Sequence, residues 1–268
     1  MKLSIGKAWE ESSAFLGREA RLVAPVALAM FALPSILAEW AYPGGRTGGG
    51  AGWLLVFVLL AAIVGQMTIV LLVNGWHGSV GEAMTKAVRR LLVPIGALMI
   101  VILPLMVVAI VGFGASIASA GITDPAGLTP EVIAKLPNVG WLLLFFTVAL
   151  LIIFVRFFPI SAIAVSEPIG PIKLLKRCWA LTKGHFWRLL ALVLLLLIVA
   201  VVLGWAVTMV VGSIATLAAG EARAFNLSAL IVALASGLVG AMVSSVSAVM
   251  VGRVYAQLSI EPSVPPTS

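Results

Sequence analysis

The only cysteine of this chain, Cys178, lies in the stretch "KRCWALTKGHFWR" (176–188), together with His185, one of its two histidines, and Trp179 and Trp187, two of its eight tryptophans. Three chemistries fit such a cluster: a thiolate nucleophile or metal ligand, a basic and aromatic nucleic-acid patch, or a membrane-surface helix. Zinc needs three or four Cys, His or carboxylate ligands at suitable spacing. The second histidine, His77, is remote in sequence, and no such ligand set exists. No G-x-S-x-G, H-E-x-x-H or P-loop occurs anywhere, and no paired intramembrane acids, so neither catalysis nor a metal or cofactor is expected.

At about 100° per residue, Lys173, Lys176, Arg177, Lys183 and Gly184 fall within one arc of roughly 120°. Leu174, Leu175, Cys178, Trp179, Leu181, Thr182 and Phe186 take the opposite side. That division is the pattern of an interfacial amphipathic helix, with rings at the acyl boundary and cations at headgroups. It puts Cys178 on the apolar side, where a thiol is inert. Lys173, Lys176, Arg177, Trp179, Lys183, Trp187 and Arg188 are therefore the expected lipid-binding residues, with anionic headgroups as the partner and nucleic acid disfavoured.

The elements that must position this helix are apolar. Hydrophobic residues make up 62% of the 268 residues and charged ones 10%, with a mean hydropathy of +1.19. A soluble core of that length needs a polar shell that these charges cannot supply. Segments 22–42, 53–73, 91–118, 140–165, 189–211 and 227–252 each meet the span of about 20 residues that a bilayer requires. Backbone groups in hydrocarbon must be satisfied internally, so all six are expected as transmembrane helices. The N-terminus mixes acids and bases before its apolar run and lacks a signal-peptide pattern. The loops expected on the side of the termini hold thirteen cations, from Lys2 to Arg253, against Arg46, Lys135 and Arg223 on the other. The positive-inside rule makes both termini cytoplasmic. Trp40, Tyr42, Trp53, Trp141 and Trp205 then belong to the outer interface, and Trp9, Trp76, Trp179, Trp187 and Tyr255 to the inner one.

The segment Arg21-Leu22-Val23-Ala24-Pro25 through Met30 matches Arg90-Leu91-Leu92-Val93-Pro94 through Met99 at Arg, Leu, Pro and Met. Gly52-Trp53-Leu54-Leu55-Val56-Phe57 matches Gly140-Trp141-Leu142-Leu143-Leu144-Phe145 in the same order. Arg188-Leu189-Leu190 enters the fifth span in the same way. The expected architecture is all-α and integral to the membrane. It comprises three parallel repeats (1–73, 74–165 and 166–258), each a basic amphipathic surface helix followed by a transmembrane hairpin. Together they form one domain over 1–258, with a flexible tail at 259–268.

Ionisable or polar residues within spans are functional candidates by default. Glu39, near the outer end of the first span, reaches water by snorkelling. Gln66, deep in the second, offers an interhelical hydrogen bond. Arg156, about ten residues before the fourth loop, either anchors inward or meets a lipid phosphate or a carboxylate. Ser236, Gly240, Ser244, Ala248 and Gly252 form a small-residue stripe for helix packing, within the chain or against a second copy. Pro25, Pro34, Pro94, Pro104 and Pro159 are expected to kink their helices.

Residues 155–199, "VRFFPISAIAVSEPIGPIKLLKRCWALTKGHFWRLLALVLLLLIV", resemble a feature of certain bacterial six-span proteins. The family is named for the membrane domain of some glycerophosphodiester phosphodiesterases and is related to YciC-like inner-membrane proteins. The resemblance implies a bacterial inner-membrane protein without assigned activity, because catalysis in the namesake enzymes belongs to a separate soluble barrel. The leading expectation is a non-enzymatic membrane protein that organises lipid or partner proteins through its basic helices. The alternative is a small permease or channel with a path among the kinked helices.

Overall fold

Leu-, Val- and Ala-rich runs, punctuated by Gly, Pro and capping residues, fold entirely as helix. The computed structural model describes residues 5–45, 51–121, 132–133, 136 and 138–259, and among these no strand occurs. Lys2, Arg46, Lys135, most of the loop 121–138 and the tail from 260 lie outside the described residues. Six helical stretches are long and apolar enough to cross a membrane: Gly6–Ala41, Ala51–Val73, Val80–Ser119, Val139–Ser166, Phe186–Ala219 and Leu227–Ser259.

The first stretch comprises α1 (Ile5–Ala27), a π-helical turn (Leu28–Ala32) and α2 (Leu33–Ala41). Its direction changes at Glu19, which leaves helical geometry at φ −108° and ψ 20°. Pro25 and Pro34 lack the N–H that would close the normal ladder. The wide turn between them is closed instead by Leu33 N–H donating to the Leu28 carbonyl, so the paired prolines produce a π-bulge. After α3 (Ala51–Val73), Gly75 at φ +82° turns the chain. Ser79 then opens α4 (Val80–Arg90) with a full capping box: Glu82 N–H donates to Ser79 Oγ at 3.2 Å, and Ser79 N–H to Glu82 Oε2 at 3.0 Å. Leu91 joins α4 to α5 (Leu92–Ser119).

Then follow α6 (Val139–Arg156), α7 (Ile160–Ser166), α8 (Pro171–Thr182), α9 (Phe186–Ala219) and α10 (Leu227–Ser259). The last two outrun the expected spans, because good helix formers continue each helix beyond its apolar stretch. Pro94 lies in the first turn of α5, where its missing N–H costs nothing, and Pro104 lies inside an unbroken α5. Pro159 separates α6 from α7 rather than kinking one helix.

Packing is uneven. α10 lies against α1, α2, α3 and α9. At the end that carries α4, α7 and α8, the fully buried Met67, Val70, Ile163, Leu174, Cys178, Leu189 and Met250 form one core. A second core joins Val26, Phe31, Ile69 and Val249. Half of the apolar window of α3 is buried, whereas in α5, α6 and α9 only 11% is. Among the described residues α5 and α6 do not pack extensively on α3 or α10. The fold is therefore tied at its α8 end, and the remainder of α5 and α6 stands apart.

Candidate functional site

Pro171 sits at the first position of α8, where its fixed φ suits a helix start. The helix carries Leu174, Cys178 and Leu181 on the face packed into the core, while Lys173, Lys176 and Arg177 are exposed, as is Lys183 just beyond its end. The expected division of faces is present, and the buried Leu174, Cys178 and Leu181 lie on the side that packs against α5 and α7. A hydrophobic stripe is satisfied equally by protein or lipid, so its period alone does not say which. The exposed rings are Trp179, at 51% exposure, and Trp187, at 78%. Burial pushes the Cys178 thiol up to about 12, with a smaller contribution from the Glu167 charge.

Arg156 is the last residue of α6, because the chain breaks from helix at Phe157–Pro159. A cation at a helix C-terminus is favoured by the carbonyl dipoles there. Its guanidinium carbon lies 4.4 Å from the ring centre of Trp179 and 5.3 Å from that of Phe186. Nη1 donates to Thr182 Oγ1 at 3.2 Å, and the Thr182 hydroxyl donates in turn to the Cys178 carbonyl at 2.8 Å. One side chain therefore fastens α6 to α8 and to the first residue of α9. Among the described residues no carboxylate lies within ion-pair distance of it. His185, between Thr182 and Phe186, keeps a buried Nδ1 without a hydrogen-bond partner.

A second node is Glu167, in the extended link between α7 and α8. Its Oε1 accepts from Arg177 Nε at 3.1 Å and from the Tyr255 hydroxyl at 3.2 Å. Its backbone carbonyl accepts from Arg90 Nη1 at 3.4 Å. Glu167 thus joins α4, α8 and α10. The sequence offers little to find it by, since Tyr255 is 88 residues away and pairing at that range leaves no periodic trace.

The model of the family described as a domain of unknown function, DUF7847, matches residues 3–258. The chain belongs to this family. The match takes in both Arg156 and Glu167. No curated protein and no solved structure matches the chain.

The other expected site residues lie apart. Glu39 accepts the Gly44 N–H at 2.9 Å, closing the turn after α2 in which Gly44 adopts φ +66°. Gln66 is half-buried in α3 and makes no side-chain hydrogen bond among the described residues. Arg188 at the start of α9 is exposed. Along α10, Ala248 and Gly252 are buried, Ser236 and Ser244 are half-buried, and Gly240 faces open space. The close-packed line runs through Gly237, Ala241, Ser245, Ala248 and Gly252 instead. A Cβ on Gly237 would strike the Ile36 side chain, and one on Gly252 would come within 2.9 Å of Val73 Cγ1. Strict four-residue spacing drifts about 40° per step around a helix of 3.6 residues per turn. A straight contact line must therefore mix steps of three and four.

Proposed function

We propose that this is a multi-pass, non-enzymatic membrane protein that presents cationic segments to an anionic leaflet and gathers lipid there. The carrying observation is the exposed row Lys173, Lys176 and Lys183 beside the half-exposed Trp179, at the end of helices long and apolar enough to span. Positive-inside counting makes that end cytoplasmic. A bacterial inner membrane, as the resemblance over 155–199 implies, belongs to the same proposal.

Three parallel units are also part of it. Their support is a recurring order of basic segment and apolar helix. The chain leaves helical geometry at Glu19 and at Lys183–His185, where Gly184 takes φ +86°, whereas Leu91 between α4 and α5 stays helical at φ −56° and ψ −39°.

Near-surface Lys or Arg contributes on the order of 1 kcal/mol each on an anionic leaflet. The variant K173Q/K176Q/K183Q spares Arg177, which is held by Glu167. It is expected to retain markedly less phosphatidylglycerol relative to phosphatidylcholine in native mass spectrometry. An unchanged ratio sinks the lipid-gathering role.

A further inference from the structure

Beyond a diffuse cationic surface, the geometry points to one discrete binding site for the phosphodiester of a membrane phospholipid, centred on the guanidinium of Arg156. This inference takes from the proposed function only that the helices lie in a bilayer. Arg156 is half-buried, and among the described residues it has no acidic partner. A cation withdrawn from water without a counter-ion is costly, and the cation–π contacts with Trp179 and Phe186 offset that cost only in part. Thr182 Oγ1 occupies one of five guanidinium donors. The two rings restrict the orientation of the group and leave further N–H donors on its edge, a preorganised fork of the kind that grips phosphate oxygens in pairs. The buried, unpartnered Nδ1 of His185 belongs to the residue directly before Phe186 and three after Thr182, a further polar group at the same junction.

The surroundings select a lipid over a free anion. Arg156 ends α6, and Phe186 begins α9, so the site lies where these two helices meet. Away from it both helices present open apolar flanks, with Phe154, Leu150, Leu195 and Ile198 all exposed. A phosphate on the guanidinium edge has acyl chains that can continue along these flanks, whereas inorganic phosphate has nothing to place there.

The full-length protein, purified in detergent with added phosphatidylglycerol, is the material for the test. Native mass spectrometry at rising collision energy is expected to show one phospholipid that survives after the others are stripped. R156Q should lower its occupancy at least tenfold, the equivalent of one charge-assisted hydrogen bond. R156K keeps the charge and the fold but replaces the fork by a point charge, and should lower occupancy severalfold. K173Q/K176Q/K183Q should keep this lipid while losing bulk anionic lipid. Excess inorganic phosphate should not displace it. Wild-type retention in either folded Arg156 variant overturns the site, and displacement by phosphate overturns the lipid assignment. Should R156Q fail to fold, R156K and the phosphate competition still decide. Loss in the Lys variant with full retention in the Arg156 variants would leave the proposed function standing and this site refuted.

Discussion

Adding one methyl group at Gly237 and adding one at Gly240 should have opposite consequences, although both lie on α10 only three residues apart. Replacing Gly by Ala inside a helix gains roughly 0.8–1 kcal/mol of intrinsic propensity, and that gain is common to both sites. At Gly240 nothing lies within 4 Å of the new carbon, so G240A should be neutral to stabilising. At Gly237 the new carbon would overlap Ile36 Cγ1 and sit 3.3 Å from the Ala32 carbonyl oxygen. The side chain can yield, but the backbone oxygen cannot without moving the π-helical turn. Overpacking of this kind costs about 1–3 kcal/mol. Because propensity cancels in the comparison, G237A should be less stable than G240A by about that amount, or roughly 5- to 150-fold in the folding equilibrium. Reversible unfolding in mixed detergent and SDS micelles, followed by circular dichroism, measures the difference. I36A should partly rescue G237A and produce a coupling beyond the roughly 0.3–0.5 kcal/mol expected of independent sites. Equal stability of the two variants, or greater damage at Gly240, would refute the contact line through Gly237.

Other consequences are simpler to state. E167Q keeps the shape of the node but removes its charge, and should cost about 1–2 kcal/mol. Most of that is expected through Tyr255, since Arg177 is 45% exposed; Y255F should then add little to E167Q, and full additivity would count against the node. With its thiol pushed up to about 12, Cys178 should react with maleimide at pH 8 roughly three orders of magnitude more slowly in the native protein than after SDS unfolding. Rapid native labelling would contradict its burial. Single cysteines at Gly45 and Lys183, in a C178A background, should label from opposite faces of sealed vesicles; labelling from one face only would overturn the orientation.

The six long apolar helices were legible because a requirement for about 20 apolar residues in a row leaves a long, plain signal. Their ends were less so. Polarity limits a span but not a helix, so α9 runs to Ala219, well past the expected end at 211. The two-faced character of 171–182 could be read from its period, but what covers its apolar face could not. Pro159 was the available clue that Arg156 ends a helix, since proline disfavours helical geometry in the residue before it. A kink at Pro159 would instead leave Arg156 inside a span. The cradle of Trp179, Phe186 and Thr182 needs the turn at Gly184 to bring Phe186, the first residue of α9, to the same guanidinium as Trp179. No spacing rule encodes that return.

The uneven packing is what the proposed bilayer setting predicts. Lipid chains solvate Leu and Val as well as protein does, so apolar flanks alone give helices no reason to close up. Association then depends on small residues that let backbones approach and on polar groups that must find partners. Both are concentrated in particular places. A Cβ on Gly65 would come within 2.7–2.9 Å of Met30 and Phe31, and Gly237 and Gly252 seat α10 on α2 and α3. Glu167, Arg177, Tyr255, Arg90, Arg156 and Thr182 crosslink the end that carries α8. At the other end, Trp40 holds the approach to α10 through its Nε1 bond to the Asn226 carbonyl, 3.2 Å, and its carbonyl's bond from Phe225 N–H, 3.0 Å. The apolar length of α5 and α6 has few such devices toward α3 and α10, and the two helices pack on each other, through Gly112 against Leu142 and Phe113 against Phe146, more than on those. Polar substitutions at the α8 end should therefore loosen the attachment of α5 and α6 far more than equally large changes along their exposed flanks.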